Sequence, residues 1–260
     1  METKILVAAH KKFQMPRNQK LYFPILVGAI YNYKQGINYQ RDDEGVNISN
    51  KNPSYSELTA IYWAWKNLKN IDAIGLVHYR RYFIKRWHFS KIDNVIDEKD
   101  VAKLLSKYDV ILPKKRHYYI ETIYSHYVHS HHKEPLDATR RTIIKLYPSY
   151  LSSFDKVMSR RSAHMFNMFI MKRQYFNEYC KWLFDILMDV DNSININDYS
   201  KQEKRVFGYL SEVLMDVWIK KNKIVHKDIS WKFIGTQHIL KKVFFLFLRK
   251  FKIGPKQTHF

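Results

Sequence analysis

The sequence predicts an α/β domain with a mostly parallel central sheet flanked by helices, and two observations carry that expectation. Short, largely apolar runs over 4–9, 73–77 and 109–112 suit strands inside a parallel sheet covered on both faces. Each run is followed closely by cations, at His10-Lys11-Lys12, His78-Tyr79-Arg80-Arg81 and Lys114-Lys115-Arg116. Parallel strands would bring these clusters to one edge. Ligands of open α/β sheets bind beyond the carboxyl ends of the strands, so the functional site is expected there.

Taken in order, 4–9 reads as the first strand and 24–28 as a second. The acidic cluster Asp42-Asp43-Glu44 falls in a polar, turn-rich stretch and reads as a solvated loop. A helix is expected over 54–70, with Ser54 and Glu57 at capping-box spacing and Leu58, Ile61, Tyr62 and Trp65 recurring on one face. The strand over 73–77 follows, then a loop over 86–93 and a helix over 97–108.

Four histidines, His126, His129, His131 and His132, crowd the segment 121–132. Only His126 and His129 share a helix face, so the stretch reads as a polar helix lining a cleft rather than as a metal site. Further helices are expected over 135–147, 174–190 and 201–220. The run 164–171 reads as a buried strand interrupted by Asn167, whose amide needs partners or a ligand. Asp189 and Asp191 sit near a helix end rather than beyond a strand, which favours an exposed terminus over a metal site.

The chain has 260 residues, seven glycines and seven prolines, so nothing demands a linker or a second globular domain. A catalytic domain over 1–235 is expected, with a basic amphipathic tail over 236–260 that suits a membrane-surface anchor. The single cysteine, Cys180, excludes an internal disulfide and suits a reducing compartment. No secretory signal or membrane-spanning run is apparent, and the chain is expected to be cytoplasmic and peripheral at the inner face of the cell membrane. The formal charge of +21 points to phosphate-bearing partners: nucleic acid, anionic lipid or a nucleotide diphosphate donor.

The run NISNKNPSYSELTAIYWAWKN, followed by GLVHYRRYF, resembles a bacterial family whose characterised members are galactofuranosyltransferases of capsule, O-antigen and exopolysaccharide synthesis. HKKF at 10–13, IETIYSHYVHSHH at 120–132, HMFNMFIMKRQYFNEYCKWLFDIL at 164–187 and RVFGYLSE at 205–212 extend the resemblance. It implies a glycosyltransferase A-like fold, a UDP-sugar donor, a lipid-linked glycan acceptor and no tightly bound cofactor. Distant transferases of this fold carry a metal-binding Asp-x-Asp where His78-Tyr79-Arg80 stands here. Cations cannot chelate a divalent metal but can pair with diphosphate oxygens, so no metal ligand is assigned.

With a UDP-sugar as donor, Arg80 and Arg81 are expected to stabilise the departing diphosphate together with His78 or Lys11, and His10 joins them as a donor-binding residue. Glu57, His164 and Asn167 join them on the donor side. For the catalytic base the expected residues are Asp198 and Glu203, in the loop before RVFG, with Glu57 and Glu212 also in contention. Two rivals remain open on sequence alone. A nucleic-acid-binding protein would interleave exposed aromatics with cations, whereas the aromatics here recur at buried spacings. A noncatalytic membrane scaffold would bind lipid without transferring sugar.

Overall fold

The computed structural model describes residues 1–85 and 92–234, so the tail expected over 236–260 lies outside the described residues. The first strands are β1 (Thr3–Ala9), β2 (Tyr22–Leu26), β3 (Gln40–Arg41), β4 (Ala73–His78) and β5 (Arg81–Phe83). They are followed by β6 (Val110–Pro113), β7 (Arg116–His117), β8 (Ser162–Ala163), β9 (Phe169–Lys172), β10 (His226–Ile229) and β11 (Trp231–Phe233). The shorter helices are α1 (Ala29–Asn32), α2 (Asn52–Tyr55), α3 (Leu58–Asn67), α4 (Glu98–Leu105) and α5 (Ile123–Ser130). After them come α6 (Lys133–Leu146), α7 (Leu151–Met158), α8 (Arg173–Ser193) and α9 (Val206–Asn222).

The main sheet has the order β3-β2-β1-β4-β9-β6-β10. Along this order the pairings are parallel except that β9 runs antiparallel to both β4 and β6, and β5 branches off β4 and pairs β11, both antiparallel. Side chains alternate across β1: Leu6 and Ala8 pack on the face covered by α3 and α8, while Ile5 and Val7 face Val101 and Leu105 of α4. Both faces are therefore buried, as the apolar strands required. The topology also fixes the site. Because β9 opposes its neighbours, the residues that lead into it, Phe166 and Asn167, emerge at the edge where β1 and β4 end.

Three expectations need correction, and each correction matters for the site. The helix over 54–70 is broken: α2 ends at Tyr55, Ser56 adopts φ 52°, ψ −128°, and α3 begins at Leu58. The Ser54 hydroxyl donates to the Lys51 carbonyl at 3.2 Å instead of capping a helix. The break swings Glu57 out of the helix stack.

The strand over 164–171 is also cut short. Only Phe169–Lys172 pairs in the sheet, while Phe166 and Asn167 take positive φ values of 72° and 53°. Each such conformation costs on the order of 1 kcal/mol for a residue with a side chain. Three bonds to α9 offset that cost. The His164 amide donates to Asp216 Oδ2 at 2.9 Å. Ser211 Oγ donates to Asn167 Oδ1 at 2.8 Å, and Asn167 Nδ2 donates to the Gly208 carbonyl at 3.1 Å.

The third correction concerns the acidic loop. Asp42 is fully buried, not solvated. Its carboxylate accepts from the Gly28 and Ala29 amides at 2.7 and 2.8 Å, from Ser49 Oγ at 2.5 Å and from Thr59 Oγ1 at 2.6 Å. Gly28 precedes α1 at φ 57°, and a Cβ there would lie 2.4 Å from Asn52 Oδ1, so only glycine fits. Asp42 thus ties α1 to α3.

Smaller departures follow the same logic. The helix expected over 201–220 starts only at Val206, leaving Lys201, Lys204 and Arg205 in a turn. Asp189 and Asp191 hold no common ligand site: the first bonds Thr142 and Lys145, the second Lys51. Among the described residues no helix is long and apolar enough to cross a membrane.

Candidate active site

At the carboxyl edge of β1 and β4 lies a cleft of about 1090 Å³. Its floor is Ala8, Ala9 and His10 from the end of β1, with His78, Tyr79 and Arg81 from the β4–β5 turn. One wall comes from Tyr31, Asn32, Asn52 and Pro53, and another from Lys201, Gln202, Lys204 and Arg205 ahead of α9. Ser56 and Glu57 complete the lining.

The electrostatics are lopsided. Arg81, Lys201, Lys204 and Arg205 bring fixed positive charge, and Glu57 is the one carboxylate among the lining residues. Partial desolvation lowers the pKa of His10, and the nearby cations Lys11, Arg80 and Arg205 lower it further. Desolvation likewise lowers His78, against the pull of Glu57 and with help from Arg81. A neutral His78 donates from Nε2 to the Phe166 carbonyl at 2.6 Å, which fixes the ring across the base of the cleft.

Glu57 is almost fully buried and is held by a single side-chain donor, Asn167 Nδ2, at 2.7 Å from Oε1. Behind it sits Glu212, whose pKa burial pushes up to about 8, with Glu57 adding to the rise and Arg81 and Arg205 opposing it. Two carboxyl groups in one field cannot easily both ionise, and burial keeps Glu212, the one behind, protonated near neutral pH. Burial also lowers the Arg81 pKa, while Glu212 and Glu57 counter that effect. The Arg81 guanidinium lies 4.5 Å from the Phe166 ring centroid, and Arg205 Nε donates to Ser56 Oγ at 3.1 Å.

The structure brings His10, Glu57, His78 and Arg81 into the lining, with Asn167 bonded directly to Glu57. The other expected residues fall outside it. Arg80 turns its guanidinium toward the rings of Tyr79 and Phe233, at 5.1 and 5.8 Å, and Lys11 is exposed beside His10. His164 is buried away from the cleft between Asp216 and Asp228.

Asp198 is exposed, and the Glu203 carboxylate faces the Ser200 amide and His132. Their neighbours Lys201, Lys204 and Arg205 reach the cleft instead, because the turn ahead of α9 presents its cations inward. Those three cations are not among the residues expected from the sequence, where Asp198 and Glu203 stand out in the same stretch. Their signal is a basic cluster next to a helix start. The third basic cluster lies at the same sheet edge but across β9, at the end of β6, and does not line the cleft.

A mostly parallel sheet, a cationic cleft at its carboxyl edge and a lone carboxylate facing that cleft define an α/β domain with a ligand-binding site at its strand ends. Residues 4–223 match the family described as "Domain of unknown function (DUF4422)", and the chain belongs to it. The apo structure of WbbM, a bifunctional glycosyltransferase, is similar in fold, with a TM-score of 0.82 and 31% sequence identity. The match covers 91% of this chain and 46% of the WbbM chain, so the protein spans about half of that relative's length. No curated protein matches the chain.

Proposed function

We propose that the domain is a glycosyltransferase that moves galactofuranose from its UDP conjugate to a lipid-linked glycan acceptor in cell-surface polysaccharide synthesis. One observation carries the reading: the cleft concentrates cations around a single carboxylate at the edge where α/β sheets bind ligands. The family resemblance supplies the donor sugar and the acceptor, and the likeness to WbbM supports sugar transfer.

In this mechanism the donor diphosphate lies against Arg81, Arg205, Lys201 and Lys204, and the exposed ring of Tyr31 offers a stacking face to the base. The anomeric C–O bond breaks, its electron pair leaves with the diphosphate, and these cations stabilise the growing negative charge. The acceptor oxygen bonds to the anomeric carbon while its proton passes to Glu57. Asn167 keeps that carboxylate aimed, and His78 keeps the 166–167 turn in place. Among the lining residues only Glu57 offers an anionic oxygen, so the phosphate-facing side of the cleft is built from cations rather than carboxylates.

A thermal-shift panel tests the reading, because a ligand bound only by the native state raises the melting temperature. UDP-galactofuranose is expected to raise it most, other UDP-sugars less, and GDP-sugars not at all. An absence of any shift with millimolar UDP compounds would overturn the proposal.

A further inference from the structure

We infer that His164, His226 and Asp228 form a zinc-binding site outside the cleft, with Asp216 orienting one of the two imidazoles. The inference goes beyond sugar transfer and does not depend on it. Among the described residues, these three form the one group of potential ligands whose donor atoms lie within 4.8 Å of one another.

The sequence places two of them together at once. His226 and Asp228 are alternate residues of β10 and so project from the same face of the strand. The third, His164, stands just after β8 and is pinned by α9.

The hydrogen bonds around the two rings point to a cation. His226 Nδ1 lies 3.0 Å from the Ile224 carbonyl, which can only accept, so Nδ1 carries the proton. In the neutral ring the Nε2 lone pair then faces Asp228 Oδ1 at 3.7 Å, an unfavourable pairing that a cation between them would reverse. His164 repeats the pattern. Its Nδ1 is 2.7 Å from Asp216 Oδ1, and its Nε2 is 3.0 Å from the same Asp228 oxygen. An imidazole held at one nitrogen by a carboxylate or carbonyl, with the other nitrogen turned to a shared carboxylate oxygen, is the arrangement that outer-shell partners impose on metal-binding histidines.

Size and charge agree. Tetrahedral zinc with bonds of about 2.0–2.1 Å to nitrogen and oxygen needs ligand atoms about 3.3–3.4 Å apart. The separations of 3.0 and 3.7 Å bracket that value. Two neutral imidazoles and the carboxylates of Asp216 and Asp228 balance a divalent ion, and the mixed nitrogen and oxygen set favours zinc over calcium or magnesium. His164 is buried, while Asp228 and His226 remain 33% and 28% exposed, leaving an entry path and room for a water as fourth ligand.

The histidine-dense stretch offers no equivalent. His126 and His129 both turn Nδ1 to Glu121, and His131 and His132 stack on Tyr209 and Tyr199. Nor does any of the three proposed ligands line the cleft. The ion would hold the head of the 164–167 segment and so position Asn167 and, through it, Glu57.

The test uses the full chain, stripped with a chelator and then titrated with cobalt(II) and, separately, zinc(II). Cobalt is expected to give the visible absorption of a tetrahedral site, and calorimetry to give one zinc per chain. His226→Ala should weaken binding at least ~100-fold and Asp216→Asn about 10- to 100-fold, with circular dichroism confirming the fold. His129→Ala should leave affinity unchanged. If His226→Ala does not fold, Asp228→Asn provides the same reading. Failure of the folded wild-type chain to bind either metal at micromolar concentration would overturn the site, leaving His164 as an imidazolium between two carboxylates. Binding that survives both ligand substitutions would overturn it as well. UDP-sugar binding is scored separately, so either reading can fail without the other.

Discussion

Asp42 and Glu57 are both buried carboxylates close to the same cleft, yet they are built for opposite purposes. Asp42 accepts hydrogen bonds from two backbone amides and two hydroxyls and does not line the cleft. Glu57 has one side-chain donor, an acidic neighbour in Glu212 and an open side toward a cationic cavity. A carboxylate whose oxygens are fully engaged holds structure together. One that keeps an oxygen aimed at a cavity is poised for chemistry.

The largest effect that would break this contrast is on turnover. Glu57→Gln keeps the acceptor for Asn167 but removes the base, and kcat is expected to fall about 10²- to 10⁴-fold with little change in melting temperature. Asp198→Asn and Glu203→Gln, which leave the cleft lining untouched, should retain activity within about 3-fold of wild type. Steady-state kinetics on folded variants check both, and comparable losses at Glu203 would return the base to the loop before α9.

Asp42→Ala should do the reverse. It strands the Gly28 and Ala29 amides and is expected to cost roughly 2 to 4 kcal/mol in denaturant unfolding. Under conditions where the variant is folded, kcat should remain within a few-fold of wild type. A stability loss under about 0.5 kcal/mol would remove the structural role assigned to Asp42.

Glu212 gives a smaller effect with a definite sign. Its folded pKa, about 8, lies above its ordinary value, so the native state prefers the protonated form. Its contribution to stability is intact below the unfolded pKa of about 4.3 and is lost as pH rises through 8. Glu212→Gln should therefore be more stable than wild type at pH 9, by on the order of 2 kcal/mol, with the gap closing toward pH 5. Parallel pH profiles of the two proteins would contradict the assignment.

The sequence disclosed the framework of the site better than its completion. Uninterrupted apolar strands ending in His10 and His78 could be read because burial on both faces leaves a plain local pattern. Asp42 could not, because the donors that make its burial tolerable, Ser49, Thr59 and the Gly28–Ala29 amides, converge only after folding. The Ser56 break was hidden by good helical periodicity on either side. The positive φ values of Phe166 and Asn167 are imposed from α9, which lies some 40 residues further along the chain. Lys201, Lys204 and Arg205 are a basic cluster that by itself marks no site, because only the folded turn ahead of α9 faces them inward.

The account rests on the cationic cleft gripping a nucleotide diphosphate, and calorimetric titration with UDP tests that most directly. Arg81→Ala and Arg205→Ala should each weaken UDP binding at least ~10-fold, as expected for charge-assisted bonds worth about 1.5–3 kcal/mol. Arg80→Ala, whose side chain lies against Tyr79 and Phe233, should weaken it less. Unchanged UDP affinity in folded Arg81→Ala and Arg205→Ala proteins would contradict the account.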